Sequence, residues 1–553
     1  MRPDIRARVV RSALWAAYGD ALGFISEMTD DGGLARRLKG GHLVRTVGWK
    51  RMVGGKFGAF VDLPSGCYSD DTQLRLATSR CIRADGHFDV EAFAKVELPV
   101  WLAYALGAGA ASKSAAEALA SRNTTWFNNF FSRARSQYIN SGGNGAAMRI
   151  QPHVWARASS SDTLGLVRDV VRNSICSHGH IRGIAGAVVH ALALQHALLT
   201  NEIPGPDIWE EIVSDLATIG AAVGHDPELS AFWLPHWEHE TKASLPAAIR
   251  SVQDELRRDL RIVRKSLDAS DATASYARSA QDLGALEPSS RGSGTKTALL
   301  SLLSCWLFRM DGPNSAIVSV SGLVGSDTDS IATMVGAVMG AVAIEEPGET
   351  LADREYIETE AVRLADIAGG KTTSSFMYPD PLVWIAPKNA LDCVGTWSGE
   401  PYLAGLGRLE FSGEPVGSKS AKDESVWQWA RLDFGQRVLC KRRRKLRPLP
   451  EESRPQSEEV RMEIRVNEQQ LRAYENDRRS LDLFSETRTV EVAPAGSKTL
   501  DQLTDEAIKS GFDPAVIGQH LLELAQRDGE IELGIAYVSI LLKARKARIK
   551  NKR

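Results

Sequence analysis

Apolar residues recur every three to four positions through most of the first 365 residues, the period at which an α-helix buries one face. Leu14, Ala17, Tyr18 and Ala21 form one such stripe, and Phe93, Val96, Leu98, Trp101, Leu102 and Leu106 form another. Small residues also repeat at a spacing of four, at Ala332, Gly336 and Gly340. Side chains that small let helix backbones approach closely, which predicts a helix in the middle of a bundle. The most apolar stretches, Ile184 to Leu199 and Ile331 to Ile344, are shorter than a bilayer crossing, so both are expected to be buried helices. Residues 201–246 are aromatic and acidic, and 249–267 read as a helix with a solvated charged face.

The helical period fades after Lys371. Residues 372–446 hold more aromatic residues and proline, and Pro381 to Ile385 and Tyr402 to Gly407 suggest short strands and turns. The pattern divides the chain into a helical domain over 1–370, a small strand-rich accessory module over 371–450, a charged linker or extension over 451–499, and a helical C-terminal segment over 500–553. In the last, Pro514 opens an amphipathic helix through Val516, Ile517, His520, Leu521 and Leu524. A chain of 553 residues is in any case too long for one core.

Composition adds little to this picture. Hydrophobic residues at 43% and charged residues at 25% are ordinary globular values, and a net charge of -2 gives no global field for nucleic acid. One local exception is the basic run Lys441-Arg442-Arg443-Arg444-Lys445 with Arg447, which reads either as a solvated strand end or as a contact for a phosphate-rich ligand. Six scattered cysteines and an N-terminus without an apolar signal core fit a reduced, cytoplasmic setting.

Candidate chemistry sits where glycines and oxygen-bearing residues open helices. Tyr68-Ser69-Asp70-Asp71-Thr72 precedes an apolar-periodic run. Adjacent carboxylates repel, and either helix capping or a hard divalent cation supplies a reason for them. Gly325-Ser326-Asp327-Thr328-Asp329-Ser330 repeats the same shape before a small-residue helix. Brought together, the two clusters would offer four carboxylates and two hydroxyls, and burying that charge without metal is costly. Gly19-Asp20-Ala21-Leu22-Gly23 with Glu27 closes the first helix. Gly142 to Arg149 is glycine-rich and exposes backbone N–H groups that suit a phosphate, although neither its spacing nor its context is that of a dinucleotide fingerprint. His178-Gly179-His180 is a third such turn.

In this order the segments resemble the ADP-ribosylglycohydrolase family, of the dinitrogenase-reductase-activating glycohydrolase type. Gly19 to Glu27 matches the family's Gly-Asp-Ala-Leu-Gly segment followed by glutamate, and Ser69 to Thr72 its Thr-Asp-Asp-Thr motif. Gly143 to Arg149, with Pro152 beyond, matches Gly-Asn-Gly-Ala-Ala-Met-Arg, His178 its histidine-containing helix start, and Gly325 to Ser330 its Gly-Gly-Asp-Thr-Asp-Thr. Residues beyond about 370 have no counterpart in the minimal family domain. The resemblance implies an all-α, compact multi-helix domain, here with a C-terminal extension of mixed structure. It implies two divalent metal ions, Mg²⁺ or Mn²⁺, held by Ser69, Asp70, Asp71, Asp327, Asp329 and Ser330. It also implies catalysis through Asp70, Asp71 and Glu27, and substrate binding through Gly143, Asn144, Gly145 and His178. Serine for threonine at 69 and 330 keeps the hydroxyl oxygen, and Ser326 for glycine stiffens the turn. The implied reaction is metal-dependent hydrolysis of an ADP-ribosyl N- or O-glycosidic bond on a modified protein side chain. Hydrolysis of ADP-ribosylated nucleic acid or of a small ADP-ribosyl compound is an alternative, as is ADP-ribose binding without turnover. The expected partner is an ADP-ribosylated protein or compound. Nucleic acid would be reached through residues 441–447, and no membrane is expected.

Overall fold

The computed structural model describes residues 4–55, 58–134, 136–267, 271–381, 383–418, 425–453 and 498–525, with 533, 534, 537, 538, 540 and 541. Its two compact units are Met1–Glu463 and Ile464–Arg553. The first unit is predominantly helical.

Helix α1 (Ile5–Ser26) starts where the Asp4 carboxylate accepts the Arg6 N–H at 3.0 Å. It is followed by the short helix α2 (Asp31–Arg37), the hairpin β1 (Trp49–Val53) and β2 (Ala59–Leu63), and helix α3 (Asp70–Arg80). Helix α4 (Thr163–Ile175), α5 (Ile181–Thr200), α6 (Gly294–Leu307), α7 (Thr328–Val342) and α8 (Arg354–Ala368) complete the frame around the site. The hairpin is an antiparallel insertion that the helical period does not announce.

The closest helix pair is α1 on α7. Gly19 and Gly23 face one way and Gly336 and Gly340 the other, and a Cβ on Gly19, Gly23 or Gly336 would collide with a backbone carbonyl of the partner helix. The spacing-four repeat therefore does place a helix at the centre of the bundle. Hydroxyls stitch the crossing: Ser12 donates to the Ala337 carbonyl at 2.7 Å, Thr328 to Gly23 at 2.8 Å and Thr333 to Ala16 at 2.7 Å. Helix α5 is longer than its apolar run. At 20 residues it is long and apolar enough to cross a membrane by composition, yet its residues pack inside the unit.

Beyond α8 lies a five-stranded antiparallel meander of β3 (Val394–Trp397), β4 (Glu400–Leu403), β5 (Gly407–Gly417), β6 (Ser425–Leu432) and β7 (Arg437–Arg443). Its register shifts between Ser412 and Val416. Tyr402 to Gly407 is strand and turn as the sequence suggests, whereas the described part of 381–385 forms no strand. There Trp384 instead packs into the helices, its Nε1–H donating to the Lys95 carbonyl at 2.8 Å. The sheet belongs to the same compact unit as the helices. The Lys441 N–H donates to the Ala103 carbonyl at 2.7 Å, and the fully buried Arg80 donates to Glu97 Oε1 at 2.7 Å and to Gln436 Oε1 at 2.8 Å.

In the second unit, α9 (Leu500–Lys509) opens with a capping box between Thr499 and Gln502, and α10 (Pro514–Ala525) follows. Leu503, Ala507, Leu524, Tyr537 and Leu541 form its small core, with His520 Nδ1 2.7 Å from the Tyr537 hydroxyl. Most of the expected charged extension, 454–497, and the basic tail after 541 lie outside the described residues.

Candidate functional site

Helix α3 bears on the capping reading of the paired aspartates. Its N-cap is Ser69, whose Oγ accepts the Asp71 N–H at 3.2 Å, so neither carboxylate is needed as the cap. Asp70 Oδ1 accepts the Ala108 N–H at 2.8 Å, at a turn where Gly107 has φ 103° and Ala108 φ 83°. A Cβ on Gly107 would strike that carboxylate. Asp71 is buried and its Oδ2 has no hydrogen-bond partner. A buried carboxylate oxygen left unpaired is expensive unless something else meets it.

Asp20, fully buried on α1, fixes this corner. It accepts from the Ser69 N–H at 2.9 Å, the Thr72 N–H at 2.8 Å and the Thr72 hydroxyl at 2.5 Å. Arg75 donates to Thr72 Oγ1 at 2.5 Å and to Thr333 Oγ1 at 2.6 Å, tying α3 to α7. Burial pulls the Arg75 guanidinium down to about 10, so it stays cationic and offsets part of the charge of Asp20 and Asp71. Asp20 lies within the Gly19–Gly23 motif but is not among the expected site residues, and Arg75 lies outside the motifs. A carboxylate inside the apolar stripe of α1 was the available signal for Asp20.

At the same end of the crossing, Asp327 occupies the N-cap position of α7 without making a cap bond, after Gly325 at φ 97°. Asp329 lies buried in the first turn, its Oδ1 accepting the Ser330 N–H at 2.9 Å. Glu27 ends α1, and Arg51 from β1 donates to its Oε2 with both terminal nitrogens at 3.0 Å.

The carboxylates act on one another. Burial raises Asp71 well above the usual range, with Asp20, Asp70 and Asp327 adding to it. Burial raises Asp329 likewise, reinforced by Glu27, Asp71 and Asp327. Burial pushes Asp70 up to about 7, with Glu27 contributing, and raises Glu27 despite Arg51. The fold thus gathers Glu27, Asp70, Asp71, Asp327 and Asp329 from three segments into one field. Among the described residues, no three His, Cys, Asp or Glu side chains already stand at metal-ligand spacing. The convergence is one of charge, around an orphaned oxygen, rather than a finished coordination shell.

The glycine turn lies next to this cluster. The Asn144 N–H donates to the Gly292 carbonyl at 2.9 Å, and Asp327 Oδ2 is 3.1 Å from where a Gly292 Cβ would stand. Asn144 Nδ2 donates to Thr297 Oγ1 at 3.1 Å, so Asn144 spends donors on shaping the turn. Arg149 donates to the Gly145 carbonyl at 3.0 Å and to Asn173 Oδ1 at 2.8 Å. His178 is buried, with Nδ1 2.8 Å from Ser177 Oγ, and its ring fills the space that a side chain at Gly145 would need. Burial lowers it to about 3, which keeps it neutral. His178 therefore backs the Gly143–Gly145 turn from the core.

The ADP-ribosylglycohydrolase family model matches residues 1–371. Among solved structures, the chain is similar to one described as "ADP-ribosylglycohydrolase-related protein complex". The two share 20% sequence identity at a TM-score of 0.39, over 66% of this chain and 99% of the other.

Proposed function

Because the chain belongs to the ADP-ribosylglycohydrolase family, we propose that it hydrolyses an ADP-ribosyl N- or O-glycosidic bond and frees a modified protein side chain. Water adds at the anomeric carbon of the ribose, the bond to the acceptor nitrogen or oxygen breaks, and the acceptor leaves with a proton. The observation that carries this reading is the buried carboxylate field centred on the unpaired Asp71 Oδ2.

An all-oxygen donor set of this kind fits Mg²⁺ or Mn²⁺. Ser69, Asp70, Asp71, Asp327, Asp329 and Ser330 are the residues that would hold two such ions. Bound there, the metal would neutralise the cluster and polarise a ribose hydroxyl or the attacking water. The chain's own residues do the rest. Asp20 and Arg75 fix the Asp70–Asp71 corner, and Arg51 holds the Glu27 carboxylate beside it. Negative charge held near the anomeric carbon favours the oxocarbenium-like transition state of glycosyl hydrolysis. The Gly143–Gly145 turn, stiffened by Gly292, Arg149 and His178, would cradle the diphosphate.

The test is ADP-ribose release from arginine-modified and serine-modified proteins with Mg²⁺, with Mn²⁺ and with chelator. Release from one substrate, stopped by chelator and reduced at least about a hundredfold by Asp327→Ala, is the expected outcome. Turnover and metal content unchanged in Asp327→Ala and Asp329→Ala would overturn it.

A further inference from the structure

A cavity of about 1210 Å³ opens beside the carboxylate field. Its walls are α2, the β1–β2 hairpin and, from the meander strands β5, β6 and β7, Ser412, Gly413, Trp429 and Arg437. It is lined by residues that flank the site. Tyr68 immediately precedes Ser69, Gln73 lies one turn along α3, and Leu106, whose carbonyl accepts the Asp70 N–H at 2.8 Å, is also part of the lining. Arg51 extends from the cavity wall to Glu27. No residue of the Gly143–Gly145 turn lines it. The meander lies beyond residue 371, where the family match ends, so this wall is an addition to the family domain.

The cavity is cationic. Arg36, Arg37, Lys39, Lys50, Arg51 and Arg437 face only Asp62 and Asp353. Those two acids are already engaged, Asp62 with Lys50 at 3.5 Å and Asp353 with Arg437 at 2.9 Å. Arg37 donates to the backbone carbonyls of Ile25 and Glu27 at 2.7 and 2.9 Å and lies over the Trp49 ring. Burial draws it down to about 10, which leaves it charged at neutral pH. Arg36 and Lys39 are exposed and have no carboxylate partner among the described residues. Trp429 adds an aromatic ring, held by its Nε1–H on the Asp62 carbonyl at 3.2 Å.

Surplus cations beside a fixed indole suit phosphates on the cations and a base on the ring, the combination by which proteins hold single-stranded nucleic acid. An acidic peptide would satisfy the cations and leave the ring without a stacking partner. Resting on the hydrolysis chemistry proposed above and adding a second acceptor class to its protein side chain, we propose that this cavity binds the acceptor strand of an ADP-ribosylated single-stranded nucleic acid and presents its modified nucleotide to the carboxylate field. No residue of the run at 441–447 lines this cavity. Arg442 donates to Gln428 Oε1 at 3.0 Å, Arg443 pairs with Asp392 at 2.7 Å, and Lys441 lies over Trp427.

The probe is an unmodified fluorescent oligothymidylate, titrated with the full chain in Mg²⁺ and followed by anisotropy at several salt concentrations. Binding is expected to weaken at least about tenfold in the double variant Arg36→Ala, Lys39→Ala and about fivefold in Trp429→Ala. The salt slope of the double variant should be shallower by about 1.4, two phosphate contacts at about 0.7 each. A second readout is the ratio of ADP-ribose release from a modified oligonucleotide to release from a small ADP-ribosyl guanidine conjugate, expected to fall about tenfold in the double variant. No strand binding, strand binding unaffected by all three substitutions, or capture of polyglutamate in preference to the strand would each overturn the proposal. Small-conjugate turnover without strand binding would sink the cavity assignment alone. Strand binding with the stated variant effects, but no turnover of any conjugate, would support the cavity and remove the hydrolase reading.

Discussion

Asp71 sits where a carboxylate charge is least tolerated, buried, unpaired and facing other acids. Its folded pKa lies above its unfolded value, so the folded chain holds the extra proton and the penalty grows as pH rises. In chelator at pH 8, Asp71→Asn should therefore melt higher than the unaltered chain, by about 1–3 kcal/mol. In saturating Mg²⁺ the order should reverse, because only the unaltered chain gains the full binding free energy. Thermal melts in both buffers check this, and a variant less stable in both would mark Asp71 as structural. His190 illustrates the opposite sign. It is buried against Gln151 Nε2 at 3.0 Å, and burial lowers it to about 3. The unfolded chain then takes up the proton first, so the stability present above the unfolded value near 6.5 is lost as pH falls. The stability difference between the unaltered chain and His190→Asn should shift by about 2 kcal/mol against the unaltered chain from pH 7 to pH 5, measured by denaturant unfolding. Asp20 carries three hydrogen bonds to the Ser69–Thr72 corner. Asp20→Ala should cost at least about 3 kcal/mol, since bonds to a charged acceptor contribute about 1.5–3 kcal/mol each.

Elements transmit position to the site chiefly through the α1–α7 crossing. A Cβ at Gly23 would collide with the Thr328 carbonyl and stand close to the Asp329 backbone, both rigid neighbours. Gly23→Ala should thus cost about 1–3 kcal/mol by overpacking and should also weaken metal binding by displacing Asp329. Gly224→Ala, where a Cβ meets nothing within 4 Å, is the matched control and should be neutral or slightly stabilising. Calorimetric metal titration and thermal melts of the two variants separate a local packing loss from a displaced site. The small-residue repeat that identifies this crossing is visible in sequence because helix geometry spaces it at four. The β1–β2 hairpin has no comparable signature: β2 alternates buried and exposed residues over five positions only, and β1 does not alternate strictly.

Across the whole molecule, the meander is bonded into the helices rather than appended to them. Truncation after Lys371 would remove Gln436 from the buried Arg80 guanidinium and the Trp384 donor from Lys95. It should abolish the cooperative melt or lower the melting temperature by at least about 5 °C, whereas truncation after Glu463 should change it by no more than about 2 °C. Scanning calorimetry of the two truncations checks this. Composition changes near residue 370, but composition says nothing about which surfaces later meet, and the helices and the meander form one compact unit.

The sequence by itself determined the helical frame, the close crossing and the identity of the acidic residues, because helical periodicity, small-residue spacing and carboxylate chemistry are local properties of the chain. Tertiary structure alone decided that Ser69 rather than an aspartate caps α3, that Asp20 holds the corner from α1, and that Arg75 ties it to α7. It also decided that His178 backs the glycine turn and that half of the basic run, Lys441, Arg442 and Arg443, is spent on internal partners. The Ser69 cap is a local bond, but the contacts of Asp20, of Arg75 with Thr333 and of Arg443 with Asp392 join side chains far apart in the chain, and packing sets that proximity.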